Sequence, residues 1–526
     1  MNVLFITADQ WRGECLSCLD HPQVKTPNLD ALAADGITFK RHFAQATPCG
    51  PSRACLYTGM YMQNHRSVLN GTPMDSRHTN VALEARKYGY EPMLFGYTDT
   101  SLDPRKFGDG KTVPGGYEGV LPGMDPTYAL TGDWKPWLDE LKAKGYEVPD
   151  DPDEIFKPIQ ATESSCGKGK TFHPACFRAE DSNSAYLTDK VIEYTTKNQS
   201  SAWFAHLSFF SPHPPFIAPE PFNAMYDADE MPMPIRQVTP EKESAQHPWL
   251  AYYLYNQSGK GFSFGEDSED NLTISDEDLR QIKATYFGMM SEVDAQIGRL
   301  INHLKELGCY DDTLIIFTSD HGEHLGDHWM FAKYSYFDQT FHIPLIMRDP
   351  SEKADKHRGA VIESFTESVD IMPTILDSIG AATPNQCDGH SLLPFCRGLE
   401  PQHWRQEYHA EFDLRSPYGN EESNPLELKS NQCTANIVSG NQYKYVHFTA
   451  LPPLFFDRAD DPNEFRDRSS DSCYRDLMIE YAGKMLSWRM EHDDPALTNL
   501  YLADDGTVLQ SNRPSSSGTT LKDTSL

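Results

Sequence analysis

The sequence predicts an α/β fold: a mostly parallel sheet sandwiched by helices, with a smaller C-terminal antiparallel-sheet α+β subdomain. Three observations predict it. The continuous apolar runs Asn2-Val3-Leu4-Phe5-Ile6-Thr7-Ala8 and Thr313-Leu314-Ile315-Ile316-Phe317-Thr318 read as strands buried on both faces of a parallel sheet. Helical and extended segments alternate through most of the chain, the pattern of a sheet covered by helices. After about residue 400 the alternation gives way to period-two patterning, the mark of antiparallel strands.

In chain order, Thr26-Pro27-Asn28 opens a helix through Leu29 and Leu32 that stops at Gly36. Asn80 caps a second through Val81, Leu83 and Tyr88, ended by Gly89, and the strand Met93-Leu94-Phe95 follows. Ser184 to Asn198 is a further helix, ahead of the strand Trp203 to Phe210. The clearest helix runs from Ser275 to Leu307. In it Ile282, Tyr286, Met289, Val293, Ile297, Leu300 and Leu304 recur at helical spacing, and Gly308 ends it. Tyr443–Phe448 and, after a short turn, Pro453–Asp457 predict a small antiparallel sheet, followed by a helix near 474–491. These elements divide the chain into an α/β domain over 1–400, a small sheet-plus-helix unit over 401–490 and an extension over 491–526. Stretches of about 101–180 and 217–274, rich in Pro, Gly, Asp and Ser, interrupt the first domain as insertions of the kind that form lids, walls or subunit contacts. The Ser/Thr-rich end, Ser511 to Leu526, is expected to be mobile unless docked.

Charge and cysteines narrow the function. A formal net charge of −31 disfavours nucleic acid, which needs a basic face. An anionic ligand meets long-range repulsion, but screening beyond about 8 Å lets local cations dominate inside a cleft. No signal peptide is visible and no apolar run approaches the length that spans a membrane. Eleven cysteines without framework spacing fit a reducing cytoplasm, and the Cys15/Cys18 pair lacks a second pair at zinc-finger spacing.

The most informative stretch is Thr47-Pro48-Cys49-Gly50-Pro51-Ser52-Arg53, followed by Leu56-Tyr57-Thr58-Gly59. Pro51 suits the first position of a helix, whose free amides favour an anion. Arg53 adds a fork of donors that matches a tetrahedral oxyanion. A buried cysteine in an ordinary turn is the plainer reading, and independent acidic ligands decide against it. Asp9 and Gln10 follow the first apolar run, Asp320 and His321 the second, and ligands gather past the carboxyl ends of strands in such sheets. Three oxygen side chains and an imidazole suit Ca²⁺, Mn²⁺ or Mg²⁺. His324 and His328 invite a second-metal reading; nearby Lys333 can supply that charge instead, which leaves both histidines as parts of the loop.

With those residues in place, the chain resembles the sulfatase branch of the alkaline phosphatase superfamily over nearly its whole length. Cys49-Gly50-Pro51-Ser52-Arg53 with Leu56, Thr58 and Gly59 is similar to the formylglycine signature. Thr26-Pro27-Asn28-Leu29-Asp30, Val369-Asp370-Ile371-Met372-Pro373-Thr374 and Asp388-Gly389-His390-Ser391-Leu392-Leu393-Pro394 resemble structural landmarks of that branch. Asp9-Gln10, Asn64-His65-Arg66, Gly96-Tyr97-Thr98, Ser211-Pro212-His213-Pro214-Pro215-Phe216 and Tyr445-Val446-His447-Phe448 resemble phosphonate monoester hydrolases and related arylsulfatases.

The resemblance implies a hydrolase of singly charged sulfate monoesters, phosphonate monoesters or phosphate diesters. It implies that a formylglycine-generating enzyme converts Cys49 to formylglycine (3-oxoalanine), whose hydrate is the nucleophile. One divalent cation, Ca²⁺ or Mn²⁺, would be held by Asp9, Gln10, Asp320 and His321. Arg53 would stabilise the hydrate and transferring group, His213 and Lys333 would face the ester oxygens and leaving group, and Asn70 and Tyr97 would bind substrate. The resemblance also implies a homo-oligomer, a dimer or tetramer. Asp99 departs from the pattern, since phosphonate monoester hydrolases typically carry threonine there. It is either a base for collapse of the covalent intermediate or a turn-forming residue, and it leaves the choice between sulfur and phosphorus open. A two-metal phosphatase would want Ser or Thr at position 49, and a non-catalytic anion- or metal-binding relative would have lost one of Cys49, Arg53, Asp320 or Lys333.

Overall fold

The computed structural model describes residues 1–107, 118–159, 168–256, 271–415 and 426–493, with the short strands 501–502 and 508–509. The expected mobile tail, Ser511–Leu526, lies outside the described residues, as do parts of both long insertions.

Eight strands form the main sheet, in the order Ala360–Ile362, Ile37–Phe39, Leu345–Arg348, Thr313–Thr318, Asn2–Ala8, Phe204–Phe209, Pro92–Gly96 and Asp125–Ala129. Leu345–Arg348 runs antiparallel to both neighbours; the other described pairings are parallel. Asn2–Ala8 lies at the centre, buried throughout. Its residues alternate between two cores. Leu4 and Ile6 join Ile315 and Phe317 under the helices Pro27–Ala34, Asn183–Lys197 and Asp276–Glu306. Val3 and Phe5 join Leu314 and Ile316 under Cys49–Thr58, Val81–Lys87 and Ile371–Ser378. Each such fully buried side chain contributes about 1.5–3 kcal/mol.

The helix Asp276–Glu306 carries the signals that end a helix cleanly. The Ser275 side chain accepts from the Asp278 N–H, three acidic residues occupy the first turn, and His303 and Lys305 sit in the last. Within the stretch 101–180, Asp125–Ala129 forms the sheet edge, and Trp137, Leu138 and Leu141 of the helix Lys135–Ala143 pack into the core.

A second sheet runs Leu454–Asp457, Tyr443–Phe448, Thr434–Ser439 and Tyr408–Asp413, all antiparallel. Its fifth strand, Ala46–Thr47, comes from the N-terminal part and pairs parallel with Glu411 and Phe412. The helix Arg475–Glu491 covers this sheet through Tyr481 and Met485 against Val438, Tyr445 and Phe455. Among the described residues no helix is long and apolar enough to cross a membrane.

The helix after Ala46–Thr47 begins at Cys49, not at Pro51, so Pro51 is its third residue. The reason is that none of the first four N–H groups has an intrahelical partner, so proline fits there as well as at the first position.

Candidate active site

Asn2–Ala8 and Thr313–Thr318 are adjacent and in register, Thr7 beside Thr318. Asp9 with Gln10 and Asp320 with His321 therefore leave the sheet at the same edge, and the first turn of Cys49–Thr58 comes against them. One ligand atom each from Asp9, Cys49, Asp320 and His321 all lie within 4.8 Å of one another, and all four side chains are buried. Cys49 Sγ is 3.2 Å from His321 Nε2.

The hydrogen bonds fix where the lone pairs point. His321 Nδ1 lies 3.0 Å from the Gly322 carbonyl, which can only accept, so Nδ1 carries the proton and Nε2 presents a lone pair. That nitrogen is 3.7 Å from Asp9 Oδ1 and 3.8 Å from Asp320 Oδ2. Asp9 Oδ1 is buried without a hydrogen-bond partner. A carboxylate oxygen facing an imidazole lone pair with no hydrogen between them is unfavourable, and a divalent cation satisfies both. Burial works against the Asp9 charge, but the buried cations Arg53 and Lys333 help to hold its carboxyl below the usual range. Burial, and then Asp9, push the Cys49 thiol well above its ordinary value, so the unmodified side chain is a neutral, weak nucleophile.

Gln10 has a left-handed backbone, φ +67°, held from two sides. Its N–H donates to Asp320 Oδ1 at 3.1 Å, and its carbonyl accepts from the Tyr286 hydroxyl at 2.7 Å. Its side-chain amide donates to Glu323, and its Oε1 accepts from Lys333 Nζ at 2.7 Å. One lone pair of that oxygen is thus spent on Lys333 and one remains.

Arg53 is fully buried and almost fully engaged. Nε donates to Asp320 Oδ2 at 2.8 Å, one terminal nitrogen to Ser208 Oγ at 2.9 Å and the Tyr97 carbonyl at 3.2 Å, and the other to Asp9 Oδ2 at 3.1 Å. Of its five N–H groups one is left over. Tyr97 stacks on the guanidinium, 4.4 Å to the ring centroid, and gives its hydroxyl to Asp9 Oδ2. Gly96 makes this approach possible: its φ is +108°, and a Cβ would meet the Ser208 carbonyl at 2.1 Å.

Lys333 Nζ lies 2.9 Å from His213 Nε2, whose Nδ1 is 2.6 Å from the Pro214 carbonyl. Burial opposes the Lys333 charge, but Cys49 and Asp9 more than offset it and raise its pKa. Burial, then Lys333, lower that of His213. Asn70 turns Oδ1 to the Gly50 N–H at 2.8 Å, which occupies one first-turn amide of the helix. Asp99 is half-buried in a left-handed conformation, φ +46°. Its carboxyl has no hydrogen-bond partner among the described residues, and burial pushes it up to about 7 despite Arg53.

Sequence reasoning passed over the roles of Glu323, Ser208 and Tyr57, whose hydroxyl lies 3.4 Å from the same Arg53 nitrogen that meets Ser208. Glu323 lies in the motif Asp320-His321-Gly322-Glu323, and its position beside two ligands was the available signal; Ser208 and Tyr57 carry none. The two loop histidines have partners of their own. His328 stacks on Phe337, centroids 3.6 Å apart, and bonds Glu243 at 2.9 Å; His324 Nε2 meets Ser335 Oγ at 2.8 Å.

Comparison with known proteins agrees with this geometry. Residues 1–381 match the sulfatase family model, and residues 326–491 match that of the N-sulphoglucosamine sulphohydrolase C-terminal region. The chain is 41% identical to the multifunctional alkaline phosphatase superfamily protein PehA of Trinickia caryophylli, over 95% of this chain and 97% of that one. It is 25% identical to an arylsulfatase of Clostridium perfringens, over 95% and 96%. The crystal structure of the phosphonate monoester hydrolase of Agrobacterium radiobacter superposes with a TM-score of 0.91 at 42% identity, covering 98% of this chain and all of that one.

Proposed function

Because the chain belongs to the sulfatase family, and so is an ester hydrolase, we propose that it hydrolyses singly charged sulfate and phosphonate monoesters, with phosphate diesters as further substrates. The observation that carries this reading is the convergence of Asp9, Cys49, Asp320 and His321 on one point beside Arg53 and Lys333. Asp9, Gln10, Asp320 and His321 would hold one divalent cation, Ca²⁺ or Mn²⁺, which lowers the pKa of a hydroxyl bound to it. Cys49 would be converted to formylglycine by a formylglycine-generating enzyme, a reading supported by how poorly its buried thiol ionises.

The chain's own residues then divide the work. Arg53 clamps Asp9 and Asp320 in place and keeps one N–H for the anion. Asn70, whose oxygen is taken by the Gly50 N–H, would offer its amide hydrogens to the same anion. Lys333, bound through two of its three N–H groups, offers the third to the oxygen on which charge builds as the ester breaks. His213 accepts from Lys333 and holds it there. Tyr97 closes the wall over Arg53 and Asp9.

We further place the protein in the cytoplasm as a homo-oligomer, dimer or tetramer. Ten cysteines among the described residues are all unpaired, which supports the reducing compartment. The test of function has two arms. Peptide mass spectrometry should find the Cys49 thiol replaced by an aldehyde or its hydrate, and elemental analysis one ion per chain, lost in Asp320→Asn. Full activity with an intact thiol, or two ions per chain, overturns the reading. A panel of aryl sulfates and phenyl phosphonates compared by kcat/KM then ranks sulfur against phosphorus.

A further inference from the structure

Glu323 is fully buried, two residues beyond His321, and is not a member of the group formed by Asp9, Cys49, Asp320 and His321. One of its oxygens accepts the N–H groups of Leu325 and Ala332, at 2.9 and 2.8 Å; the other accepts the side-chain amide of Gln10. Gln10, Lys333 and His213 continue from it as a chain of hydrogen bonds that ends on the Pro214 carbonyl.

We propose that Glu323 is the positioning residue that sets the direction of this chain and thereby leaves one Lys333 N–H free for the ester. The argument runs inward from both ends. An ionised carboxylate only accepts, and one oxygen of Glu323 already takes two N–H groups, so Gln10 turns its NH₂ to Glu323 and its oxygen to Lys333. The Pro214 carbonyl only accepts, so His213 must carry its proton on Nδ1 and offer Nε2 to Lys333. The ammonium therefore sits between two acceptors, 2.7 and 2.9 Å away, with two protons committed and the third unclaimed. Lys333, a pure donor, favours the same orientation from the other side; without an acceptor at position 323 that preference loses the partner of the Gln10 NH₂ and rests on Lys333 alone. The inference rests on the reading above that Lys333 serves the breaking ester.

Glu323→Gln tests it because the shape is kept and only the direction changes. The new amide oxygen is claimed by Leu325 and Ala332, so its NH₂ faces Gln10. Gln10 must then either set its NH₂ against that NH₂ or reverse and set it against the Lys333 ammonium, donor against donor in both cases. Gln10→Glu alone sets two carboxylates against each other. Combining Gln10→Glu with Glu323→Gln restores the pattern, since a carboxylate at position 10 accepts from both sides. Each single variant should lose about tenfold or more in kcat/KM for phenyl sulfate and in calorimetric affinity for inorganic sulfate, the scale of one unsatisfied buried polar group. The double variant should exceed either single by about tenfold in both. A double variant no better than the poorer single overturns the inference. If Glu323→Gln does not yield folded protein, Gln10→Glu against the double variant decides by the same threshold. A parent enzyme that hydrolyses no sulfate or phosphonate ester overturns the functional reading instead, and sulfate affinity still reports on the hydrogen-bond direction.

Discussion

Arg53 meets Asp320 edge-on, Nε to Oδ2 at 2.8 Å, with both side chains sealed from solvent. The cation is thus committed first to the acidic groups of the site and only then to an anion. Arg53→Lys keeps the charge but has one nitrogen where two edges are needed, so Asp9 and Asp320 cannot both be held. We expect kcat/KM to fall roughly 10²–10³-fold, by a similar factor for every ester, with weakened metal retention. Steady-state kinetics across the ester panel together with elemental analysis check this; a loss confined to one leaving group contradicts it.

Lys333 donates to His213 rather than the reverse, which separates two residues of similar position. Lys333→Ala should lower kcat for poor leaving groups by roughly 10²–10⁴ and spare nitrophenyl esters, whose oxygens need little proton. His213→Ala frees Lys333 to wander without removing its proton, so its loss should be smaller and the leaving-group dependence weaker. The measurement is log kcat/KM against leaving-group pKa for each variant. An unchanged slope in Lys333→Ala shows that the proton comes from elsewhere.

Asp99 stands beside the anion site without a partner to neutralise it. Once ionised, above about pH 7, a carboxylate there repels a dianion more than a monoanion, so at pH 8 or higher Asp99→Asn should improve kcat/KM for phosphate monoesters relative to sulfate monoesters by roughly tenfold. Asp99→Thr should behave alike. Equal ratios in parent and variants would assign Asp99 to the turn alone.

Away from the site, Glu292 is buried on the long helix with the Ser182 hydroxyl as its near donor, at 2.6 Å. Burial pushes its carboxyl up to about 7 from 4.5. The native state thus binds this proton more tightly than the unfolded chain. The stabilisation is complete below pH 4.5 and is lost as pH rises through 7, at up to about 1.4 kcal/mol per pH unit. Glu292→Gln should flatten the fall of thermal stability over that interval. Asp294, raised to about 6 chiefly by burial, acts in the same sense, so the slope should shrink rather than vanish. Melting curves at closely spaced pH values decide it.

Much of this was legible before any coordinates. The central strands announced themselves because burial on both faces demands unbroken apolar runs, and the long helix because thirty-one residues give its period many repeats. Asp9, Asp320 and Cys49 could be paired because strand ends in such sheets converge. Leu345–Arg348 was not legible: four residues carry no period, and nothing local says that a strand runs against its neighbours. Glu323 was hidden for a different reason. Its role depends on which end of the Gln10 amide faces it, and a sequence does not encode the sense of a hydrogen bond.

The pairing of Ala46 and Thr47 with Glu411 and Phe412 has a consequence for synthesis. While the chain emerges from the ribosome, the two residues before Pro48 have no strand to join until most of the polypeptide has been made. For all that time the segment carrying Cys49 lacks one of the contacts that seal it, and the thiol, only 4% exposed in the finished fold, would be open to the maturing enzyme we propose. Once Glu411 arrives, that window shuts. A circular permutant that begins near residue 400, and so makes Tyr408–Asp413 before Cys49, should emerge with more of its thiol untouched.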